Sequence, residues 1–492
     1  MSLHHIRTRF APSPTGFMHI GNLRTALFEY LVAKAKNGDF VLRIEDTDQG
    51  RLVEGSLDKI YKTMAIAGLQ HDEGPDIGGQ YGPYVQSERL SSYRGFATEL
   101  VEKGEAYYCF CSPERLEKLH QEQRDKQEDF IGYDGYCRAL DPSEAKARVD
   151  AGEAHVIRQK MPREGNTSYD DAVFGTIEVE NKTLEDQVLL KSDGFPTYNF
   201  ANVVDDHAME ISHVVRGSEY LSSTPKYILL YKAFGYEVPV FVHLPLILGA
   251  DGQKLSKRHG ATSFEELLEQ GYLPEAIINY LGLLGWAPKS TRELFTLKDL
   301  IEHFNIEGIS KSPAVFDENK LIWFNEQYLH KMSDEEFLEV ARPYIDEVLP
   351  DLEDEKRNHI VELIKNRTSR LTDIPTQLAF LYGVFVVDAS MFVHKKSKSS
   401  LESSATIIQD FLTIFKNLEW DKESLHQSMI AYAEEKELKN GTVMWPLRIG
   451  AGGQLVTPGG ASDVLLLLGR ERALANLEHS LEIIIKARQE EA

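Results

Sequence analysis

A strand, a loop, a helix and a second strand within the first 46 residues constrain the fold of this chain more than any other feature. Residues 6–10 (IRTRF) and 40–45 (FVLRIE) have the composition of short strands. Between them, apolar residues recur at helical spacing at Leu23, Ala26, Leu27, Tyr30, Leu31 and Ala35. We expect Asn22 to cap this helix and Asn37-Gly38 to end it. A βαβ unit implies a parallel sheet with a right-handed crossover, so the sequence predicts a Rossmann-type α/β domain.

The rest of the chain divides into an inserted region and a helical region. The stretch from about 110 to 195 has the character of an α+β insertion, because 113–128 favours a helix while 154–158 and 176–179 favour strands. Residues 240–248 (VFVHLPLIL) predict a buried strand that leads into a glycine-rich loop. Beyond residue 260, helices are predicted over 264–285, 335–348, 352–366, 400–417 and 463–487, with a basic, serine-rich loop at 394–400.

The acidic net charge limits how the chain can meet nucleic acid. The 492 residues include 54 Lys and Arg against 77 Asp and Glu, a net charge of −23. Binding to nucleic acid through the overall field of the protein is therefore excluded. The sign reverses locally in the windows 254–258 and 356–370, and we expect any nucleic-acid contact to use such patches.

Cysteine content and hydropathy indicate a reducing compartment. There are three cysteines, an odd number far below the density of secreted disulfide scaffolds. Residues 1–10 lack the apolar core of a signal peptide. The longest apolar runs are far shorter than the ~18 residues that a membrane helix needs. We therefore predict a cytoplasmic protein with no membrane segment.

Two loops have the composition of phosphate-binding segments. Residues 11–22 (APSPTGFMHIGN) join the first strand to a helix N-terminus and place His19 and Gly21 at that point. Residues 249–260 (GADGQKLSKRHG) follow the later strand and carry clustered basic side chains. Each loop alone is equally well read as a solvated turn, and neither is a P-loop. Their occurrence together indicates a nucleotide site.

The ordered motifs of the chain resemble those of class I aminoacyl-tRNA synthetases, specifically the bacterial-type glutamyl-tRNA synthetase family. The matching segments are 12–21 (PSPTGFMHIG), 43–48 (RIEDTD), 190–198 (LKSDGFPTY), 202–207 (NVVDDH) and 254–258 (KLSKR). Glutaminyl-tRNA synthetases carry Pro-Glu-Pro-Asn-Gly in the first motif, whereas this chain has Ser13 and Thr15 there. The resemblance extends over essentially the whole chain.

The resemblance implies a Rossmann-type catalytic domain with an inserted α+β domain, followed by an all-α anticodon-binding region. The implied division is 1–110 for the first half of the catalytic domain, 111–195 for the inserted acceptor-binding domain, 196–260 for the second half, 261–330 for a helical stem-contact region and 331–492 for the anticodon-binding region. The implied activity is ATP-dependent ligation of glutamate to tRNA(Glu) through a glutamyl-adenylate, with Mg²⁺ accompanying ATP. We expect a monomer.

The site residues follow from the same motifs. The catalytic residues implied are His19, Lys254 and Lys257. Those implied for ATP binding are His19, Gly21, Glu219, Lys254, Ser256, Lys257 and Arg258. Those implied for glutamate binding are Arg9, Ser13, Glu45, Tyr198, Asn202 and Arg216. In this scheme the lysines neutralise the leaving pyrophosphate, Arg9 and Arg216 hold the side-chain carboxylate of glutamate, and Glu45 accepts its ammonium group.

Two further sets of residues are implied outside the catalytic motifs. Arg367, within the basic window, matches the family's reader of the third anticodon base, and 441–448, with Pro446 and Leu447, resembles a second anticodon-contacting loop. Cys109, Cys111 and Cys137, with Tyr133, resemble a zinc site found in some members. Ala139 stands where those members have His, so a zinc site needs Tyr133 or His120 as fourth ligand. The alternative is three reduced structural cysteines.

Three other functions are weighed against the resemblance. A relative that glutamylates a modified tRNA base lacks the helical third of this chain. A catalytically inactive RNA-binding protein has no need of His19, Lys254 and Lys257, and a nucleotidyltransferase acting on a small molecule has no need of the basic window 356–370. Whether tRNA(Gln) is also charged, and whether adenylate formation requires tRNA, stay open, although the resemblance suggests the requirement.

Overall fold

The computed structural model describes residues 5–14, 16–48, 50, 52–128, 131–256 and 263–491. The chain forms two compact units. The first contains Met1–Glu269 and Pro274–Leu321, and the second contains Gln270–Leu273 and Ile322–Ala492.

The first unit is a mixed α/β structure. Its strands are β1 (Arg7–Phe10), β2 (Asp39–Leu42), β3 (Ala106–Cys109), β4 (Val156–Gln159), β5 (Asn166–Asp171), β6 (Gly175–Glu180), β7 (Val188–Leu190), β8 (His213–Gly217), β9 (Val240–Leu244), β10 (Ile247–Leu248) and β11 (Ala314–Val315). Its helices are α1 (Ile20–Lys34), α2 (Ser56–Ile66), α3 (Leu90–Glu102), α4 (Pro113–Asp125), α5 (Pro142–Asp150), α6 (Tyr198–Ala208), α7 (Thr224–Phe234), α8 (Phe264–Glu269), α9 (Pro274–Leu283) and α10 (Leu297–His303).

The predicted βαβ unit is present, and it confirms the α/β class. β1 and β2 pair in parallel from Arg7 opposite Asp39 to Phe10 opposite Leu42. α1 joins them and is buried along most of its length. β8 runs beside β1, since the Ser212 N–H donates to the Arg7 carbonyl at 3.0 Å. β8 in turn pairs in parallel with β9. The ends of β1, β2, β8 and β9 therefore meet at one edge, where ligands bind in this class of sheet.

The segment from β3 to β7 adds strands to this sheet and also forms a separate sheet. β3, β4 and β7 make an antiparallel sheet. β5 and β6 form a hairpin whose register runs from Asn166 opposite Glu180 to Asp171 opposite Gly175. Asp171 also pairs in parallel with Phe241, so the strand order is β6-β5-β9-β8. The hairpin thus extends the sheet that contains β8 and β9.

Several predicted boundaries are wrong for local reasons. α1 begins at Ile20 with His19 as its cap, because the His19 ring accepts the Gly21 N–H; Asn22 is already helical. The predicted strand 240–248 breaks into β9 and β10 at Pro245, which has no N–H for a ladder. The predicted helix 264–285 is α8 and α9, interrupted at Gly271 in the left-handed region (φ +84°).

The second unit is helical. Its helices, together with α11 at the division, are α11 (Glu318–Lys331), α12 (Asp334–Val348), α13 (Asp354–Ile364), α14 (Ile374–Gln377), α15 (Ala379–Tyr382), α16 (Leu401–Asn417), α17 (Lys422–Glu435), α18 (Asn440–Gly452), α19 (Ala461–Leu468) and α20 (Arg470–Glu491). α16, α18 and α20 pack on one another around buried residues such as Phe411, Leu447 and Leu477. Among the residues placed by the structure, no helix combines the length and apolar character needed to cross a membrane.

Candidate active site

A cavity of about 400 Å³ opens at the carboxyl edge of the parallel strands of the first unit. The end of β1, the start of α1, the segment after β2, the end of β8 and the segment after β9 all line it. The sequence-predicted residues that line it are Arg9, Ser13, His19, Gly21, Glu45, Tyr198, Arg216, Glu219 and Lys254. Residues predicted from five separate stretches of sequence therefore share one cavity.

The remaining predicted residues have different positions. Asn202 is not among the residues that line the cavity; it lies on α6, one turn after Tyr198, and is 2% exposed. Its Nδ2 is buried and has no hydrogen-bond partner in the described part of the chain. Ser256 is partly exposed just beyond Lys254. Lys257 and Arg258 lie outside the residues that the structure describes.

His19 is held in a defined orientation at the helix N-terminus. Its Nδ1 accepts the Gly21 N–H at 3.0 Å, so its ring proton is on Nε2. A Cβ at Gly21 would lie 3.3 Å from that Nδ1, so a side chain there would press on the ring. Gly21 therefore permits both the hydrogen bond and the close approach of a ligand to the backbone.

Arg9 belongs to a buried cluster of charges behind the cavity. Its Nε donates to Asp206 Oδ1 at 2.9 Å and its Nη1 to Glu29 Oε1 at 3.3 Å. Arg43 Nη1 donates to the same Asp206 oxygen at 2.7 Å, and Arg43 Nη2 donates to Glu45 Oε1 at 3.0 Å. Asp206 thus anchors two guanidinium groups from below.

Burial shifts the acid–base behaviour of this cluster. Burial would by itself lower the pKa of Arg9, but the attraction of Asp206 raises it, so Arg9 stays charged. Burial raises the pKa of Glu29 well above its usual value, and it raises the pKa of Glu45 despite the nearby Arg43. Burial would also raise the pKa of Asp206, but Arg9 and Arg43 lower it. Asp206 is therefore the carboxylate that balances the two guanidinium groups.

Arg216 differs from Arg9 in its partners. It is 5% exposed at the end of β8, and its Nε and Nη2 donate to neutral acceptors, His243 Nε2 at 3.2 Å and Thr224 Oγ1 at 2.7 Å. Its guanidinium also lies 4.5 Å from the ring centroid of Tyr227. Among the described residues, no carboxylate forms an ion pair with Arg216. A buried cation beside the cavity thus lacks an anion, which is costly unless a ligand supplies one.

Lys254 and Glu219 lie at the mouth of the cavity. The turn at 249–252 brings Lys254 back to pair with Leu248, and the Gly249 N–H donates to the Gln253 carbonyl at 2.8 Å. Lys254 Nζ is 3.5 Å from Glu219 Oε1, and the two side chains are 69% and 44% exposed. Exposed pairs of this kind are weak, so the ammonium group can turn to a phosphate.

Sequence reasoning missed several buried polar residues that shape the site. Glu29 and Arg24 line the cavity from α1, and Asp206, Thr224 and His243 support its arginines. Burial lowers the pKa of Arg24 to about 10. Charged residues inside a largely apolar helix, as at Arg24 and Glu29, are a signal that the sequence did contain. Asp206 pairs with Arg9 197 residues away, and neither this contact nor those of Thr224 and His243 with Arg216 follows from a local pattern.

The three cysteines form one cluster at the end of β3. Their sulfur atoms lie within 4.8 Å of one another, and the Sγ atoms of Cys111 and Cys137 are 3.5 Å apart. Tyr133 Oη is 3.4 Å from Cys109 Sγ and 3.7 Å from Cys111 Sγ. Within the described residues, His120 is not a member of this group of donor atoms. Of the two candidate fourth ligands, Tyr133 is the one beside the thiols.

The residues predicted to contact nucleic acid in the second unit differ in their exposure. Arg367 Nη1 lies 3.4 Å from the Thr457 carbonyl, and Arg448 Nη1 donates to Thr457 Oγ1 at 3.0 Å. Residues 441–448 belong to α18, so the expectation of a loop there is wrong. Pro446 and Leu447 are buried, and Leu447 is completely enclosed by the helical core. The partly exposed residues in this part of α18 are Met444, Trp445 and Arg448.

Comparisons with known proteins agree with this arrangement. Residues 5–323 match the family described as tRNA synthetases class I (E and Q), catalytic domain, and residues 336–481 match the anticodon binding domain family. The chain belongs to the class I tRNA synthetase family specific for glutamate and glutamine.

Individual relatives match over almost their full lengths. A glutamate–tRNA ligase from Clostridium botulinum (strain Eklund 17B / Type B) is 49% identical over 98% of this chain and 100% of its own. A glutamate–tRNA ligase from Lachnoclostridium phytofermentans is 50% identical over 97% of this chain and 98% of its own. The crystal structure of a glutamate tRNA ligase from Elizabethkingia meningosepticum in complex with its amino acid has a TM-score of 0.89 and 36% identity, covering 97% of this chain and 99% of that one.

Proposed function

We propose that this chain ligates L-glutamate to tRNA(Glu) in two steps, with ATP as the energy source. The observation that carries the proposal is the cavity at the sheet edge, where a helix N-terminus and Lys254 suit phosphates while Arg216 and Arg9 suit a carboxylate. Full-length relatives with this named activity support it. We further propose that the enzyme acts in the cytoplasm as a monomer.

The first step activates glutamate. An oxygen of its α-carboxylate attacks the α-phosphorus of ATP in line, the bond from that phosphorus to the bridging oxygen breaks, and pyrophosphate leaves. This chemistry needs no protein nucleophile, so positioning and charge stabilisation supply the rate. His19 offers its Nε2–H to the nucleotide, and Lys254 turns from Glu219 to the pyrophosphate. Mg²⁺ bound to ATP neutralises part of the phosphate charge.

The second step transfers the activated group. A hydroxyl of the terminal adenosine of tRNA attacks the carbonyl carbon of glutamyl-adenylate, the bond from that carbon to the phosphate oxygen breaks, and AMP leaves. AMP is already an anionic leaving group, so the protein's task is to hold the two reactants together.

Selection of glutamate follows from the charges on either side of the cavity. Arg216 has no ion-pair partner among the described residues and provides a cation for the side-chain carboxylate of glutamate. Arg9 provides a second guanidinium group, whose Nε is bonded to Asp206. Glu45 lines the cavity and suits the ammonium group. Asn202 Nδ2, which has no hydrogen-bond partner among the residues the structure describes, gains an acceptor if glutamate reaches it. Glutamine lacks the negative charge that Arg216 requires, so we expect it to be rejected.

Selection of tRNA is proposed to use both halves of the chain. The inserted region, 111–195, receives the acceptor end, 261–330 contacts the stem, and 331–492 reads the anticodon. Arg367 and Arg448 both reach Thr457 and present guanidinium groups for base edges. Because Leu447 is buried, we propose that Trp445 and Arg448 make the second anticodon contact in its place. The Arg448 guanidinium lies 5.0 Å from the centroid of the Trp445 ring. Because the Trp445 ring is already stacked on His394, with centroids 3.8 Å apart, Arg448 is the group of this pair that offers donors to a base.

We propose that the cysteine cluster holds a structural zinc ion. The fit rests on its donors: three thiols and the Tyr133 oxygen form a closed group, as structural zinc sites require four ligands. Zn–S bonds of ~2.3 Å in a tetrahedron place sulfur atoms roughly 3.8 Å apart. The Cys111–Cys137 spacing of 3.5 Å is close to that value. When bound, zinc supplies rigidity to the segment that joins β3 to the rest of the insertion.

Charging assays with labelled glutamate test the proposal directly. Purified tRNA(Glu) and tRNA(Gln) are offered separately with ATP and Mg²⁺. We expect ATP-dependent attachment of glutamate to tRNA(Glu), and the tRNA(Gln) arm determines the breadth of recognition. No charging of either tRNA overturns the proposed activity.

A further inference from the structure

His243, a residue that the catalytic motifs do not include, lies directly behind the proposed glutamate site. It is completely buried on β9. Its Nδ1 is 2.6 Å from Asp171 Oδ2, and its Nε2 is 3.2 Å from Arg216 Nε. Asp171, His243 and Arg216 therefore form a chain of hydrogen bonds that ends at the cavity.

The partners of His243 fix its tautomer. The Asp171 carboxylate, 2.6 Å away, can only accept a hydrogen bond, so the ring proton is on Nδ1. The lone pair of Nε2 then accepts the Arg216 Nε–H. Thr224 Oγ1, also 3.2 Å from Nε2, donates its own proton to the Tyr220 carbonyl at 2.8 Å. Nε2 thus has one donor, Arg216.

Asp171 is itself rigidly held. Oδ1 accepts the backbone N–H groups of Val173 at 3.0 Å and Phe174 at 2.8 Å, and Oδ2 accepts both the imidazole and the backbone N–H of His243, the latter at 3.3 Å. Burial would raise the pKa of Asp171, but the bond from His243 and these backbone donors lower it. Burial also lowers the pKa of His243. The pair is therefore an aspartate and a neutral imidazole.

A neutral acceptor has a specific advantage behind a substrate-binding arginine. It directs the guanidinium by a hydrogen bond and leaves its charge intact, whereas a carboxylate would form an ion pair and offset part of that charge. Arg9 shows the second arrangement, with Asp206 and Glu29 in contact with it. Arg216 shows the first, since a whole imidazole ring separates it from Asp171.

We propose that His243, oriented by Asp171, is a positioning residue that holds Arg216 in place with its charge available to the side-chain carboxylate of glutamate. This inference rests on the proposed function, because it assumes that Arg216 binds glutamate. It adds to that function a determinant of affinity for the amino acid that does not itself touch the substrate. His243 therefore affects glutamate binding and leaves ATP binding unchanged.

Three substitutions separate the charge of the side chain at 243 from its size and its acceptor. His243→Gln keeps a neutral acceptor, His243→Leu removes it, and His243→Glu introduces a carboxylate. The measurements are kcat and the KM values for glutamate and ATP in tRNA(Glu) charging. His213→Gln, at the opposite end of the neighbouring strand β8, is the matched control.

We expect the glutamate KM to increase in the order wild type, His243→Gln, His243→Leu and His243→Glu. Loss of a hydrogen bond to a charged group predicts a rise of about tenfold or more for His243→Leu. We expect His243→Gln to stay within about threefold of wild type, with the ATP KM unchanged in all variants, because a neutral acceptor suffices. If His243→Leu folds with the stability of the wild type and binds glutamate as well as His243→Gln does, the inference is overturned. If His243→Leu does not fold, a glutamate KM in His243→Gln that rises as far as that of Arg216→Ala overturns it instead.

Arg216→Ala distinguishes failure of this inference from failure of the proposed function. A glutamate KM that rises in Arg216→Ala but not in the His243 series overturns the inference and leaves the site intact. A glutamate KM that is unchanged in Arg216→Ala removes the assignment of Arg216 itself, and with it the inference. Absence of charging by the wild type removes the proposed activity.

The pH dependence of glutamate binding provides a readout that a purely structural role would not change. The charged or titratable groups facing His243 are Asp171 and Tyr169 from β5, Arg216 from β8 and Glu219 after it. Protonation at acidic pH converts Nε2 from acceptor to donor and sets two cations against each other. Because burial lowers the pKa of His243, we expect the glutamate KM of the wild type to rise only as pH falls below the ordinary imidazole value of about 6.5, and that of His243→Gln to rise less. A rise in His243→Gln that is steeper than the rise in the wild type overturns the inference.

Discussion

The buried carboxylate of Asp206 is expected to be essential to the stability of the first unit. Asp206→Asn keeps the size of the side chain but removes its negative charge. One Asp206 oxygen accepts hydrogen bonds from both Arg9, at 2.9 Å, and Arg43, at 2.7 Å, and the side chain is 3% exposed. Without that charge, two buried guanidinium groups face each other across a neutral amide.

The size of the effect follows from what remains after the substitution. Removing one partner of a buried ion pair typically costs about 3–5 kcal/mol. Glu29 stays 3.3 Å from Arg9 and Glu45 stays 3.0 Å from Arg43, so each cation retains one acidic neighbour. We therefore expect a loss near the lower end of that range, about 3 kcal/mol in the free energy of unfolding. The glutamate KM should rise as well, because Arg9 loses its anchor.

Denaturation by urea measures this loss if the signal is confined to the first unit. Trp286 is the one tryptophan of the four that lies in that unit, and it is 3% exposed. A background with the other three tryptophans changed to Phe thus reports on that unit alone. Asp150→Asn is the matched control, since Asp150 pairs with Lys146 at 2.8 Å on the exposed face of α5. We expect no measurable shift from the control.

The reasoning is refuted if Asp206→Asn unfolds at the same urea concentration as the wild type or as Asp150→Asn. That result would mean that Glu29 and Glu45 by themselves balance the two arginines. A parallel loss of stability without any change in glutamate KM would restrict Asp206 to a structural role.

Three further predictions concern binding of the amino acid, the tRNA and the metal. Arg9→Ala should raise the glutamate KM by about 30-fold or more and leave the ATP KM unchanged, because truncating one member of a buried charge pair costs about 2 kcal/mol at least. Unchanged glutamate kinetics would contradict the assignment of Arg9. Arg367→Ala should narrow the ratio of kcat/KM for tRNA(Glu) over tRNA(Gln), and an equal ratio in the two proteins would count against its role in reading the anticodon. Metal analysis should find about one equivalent of zinc per chain, as expected for a single four-ligand site. A chelator should remove this zinc, and Cys111→Ser should contain less of it. Zinc below about a tenth of an equivalent in untreated protein would contradict the proposed zinc site.

Local sequence patterns predicted the elements that carry the site, with errors where a single residue interrupts a pattern. The βαβ start was predictable because helix and strand periods are visible over a few residues. Pro245 splits a continuous apolar run into two strands. Gly469, with φ +78°, likewise divides the predicted helix 463–487 into α19 and α20. At 441–448 the resemblance suggested a loop, but Pro446 is accommodated within a helix.

The functional roles were less evenly predictable. Residues in the motifs, such as Arg9 and Lys254, could be assigned because their neighbours in sequence identify them. Asp206 also lies inside a motif, but the sequence did not predict that it would accept hydrogen bonds from both Arg9 and Arg43. Leu447 was assigned to the anticodon from its position in the motif, but its side chain points into the core. A motif fixes the identity of a residue, and it leaves open which way the side chain faces.

The sequence by itself determined the α/β start, the helical end, the order of the motifs and the family. These are local properties, set by spacing and residue type within a few turns of chain. The tertiary structure alone decided that Asp206 would meet Arg9 across 197 residues, and that Asp171 of the inserted hairpin would meet His243 across 72. Such contacts depend on strand pairing between distant segments. Only the packing of these segments brings the buried polar groups close enough to form hydrogen bonds and ion pairs.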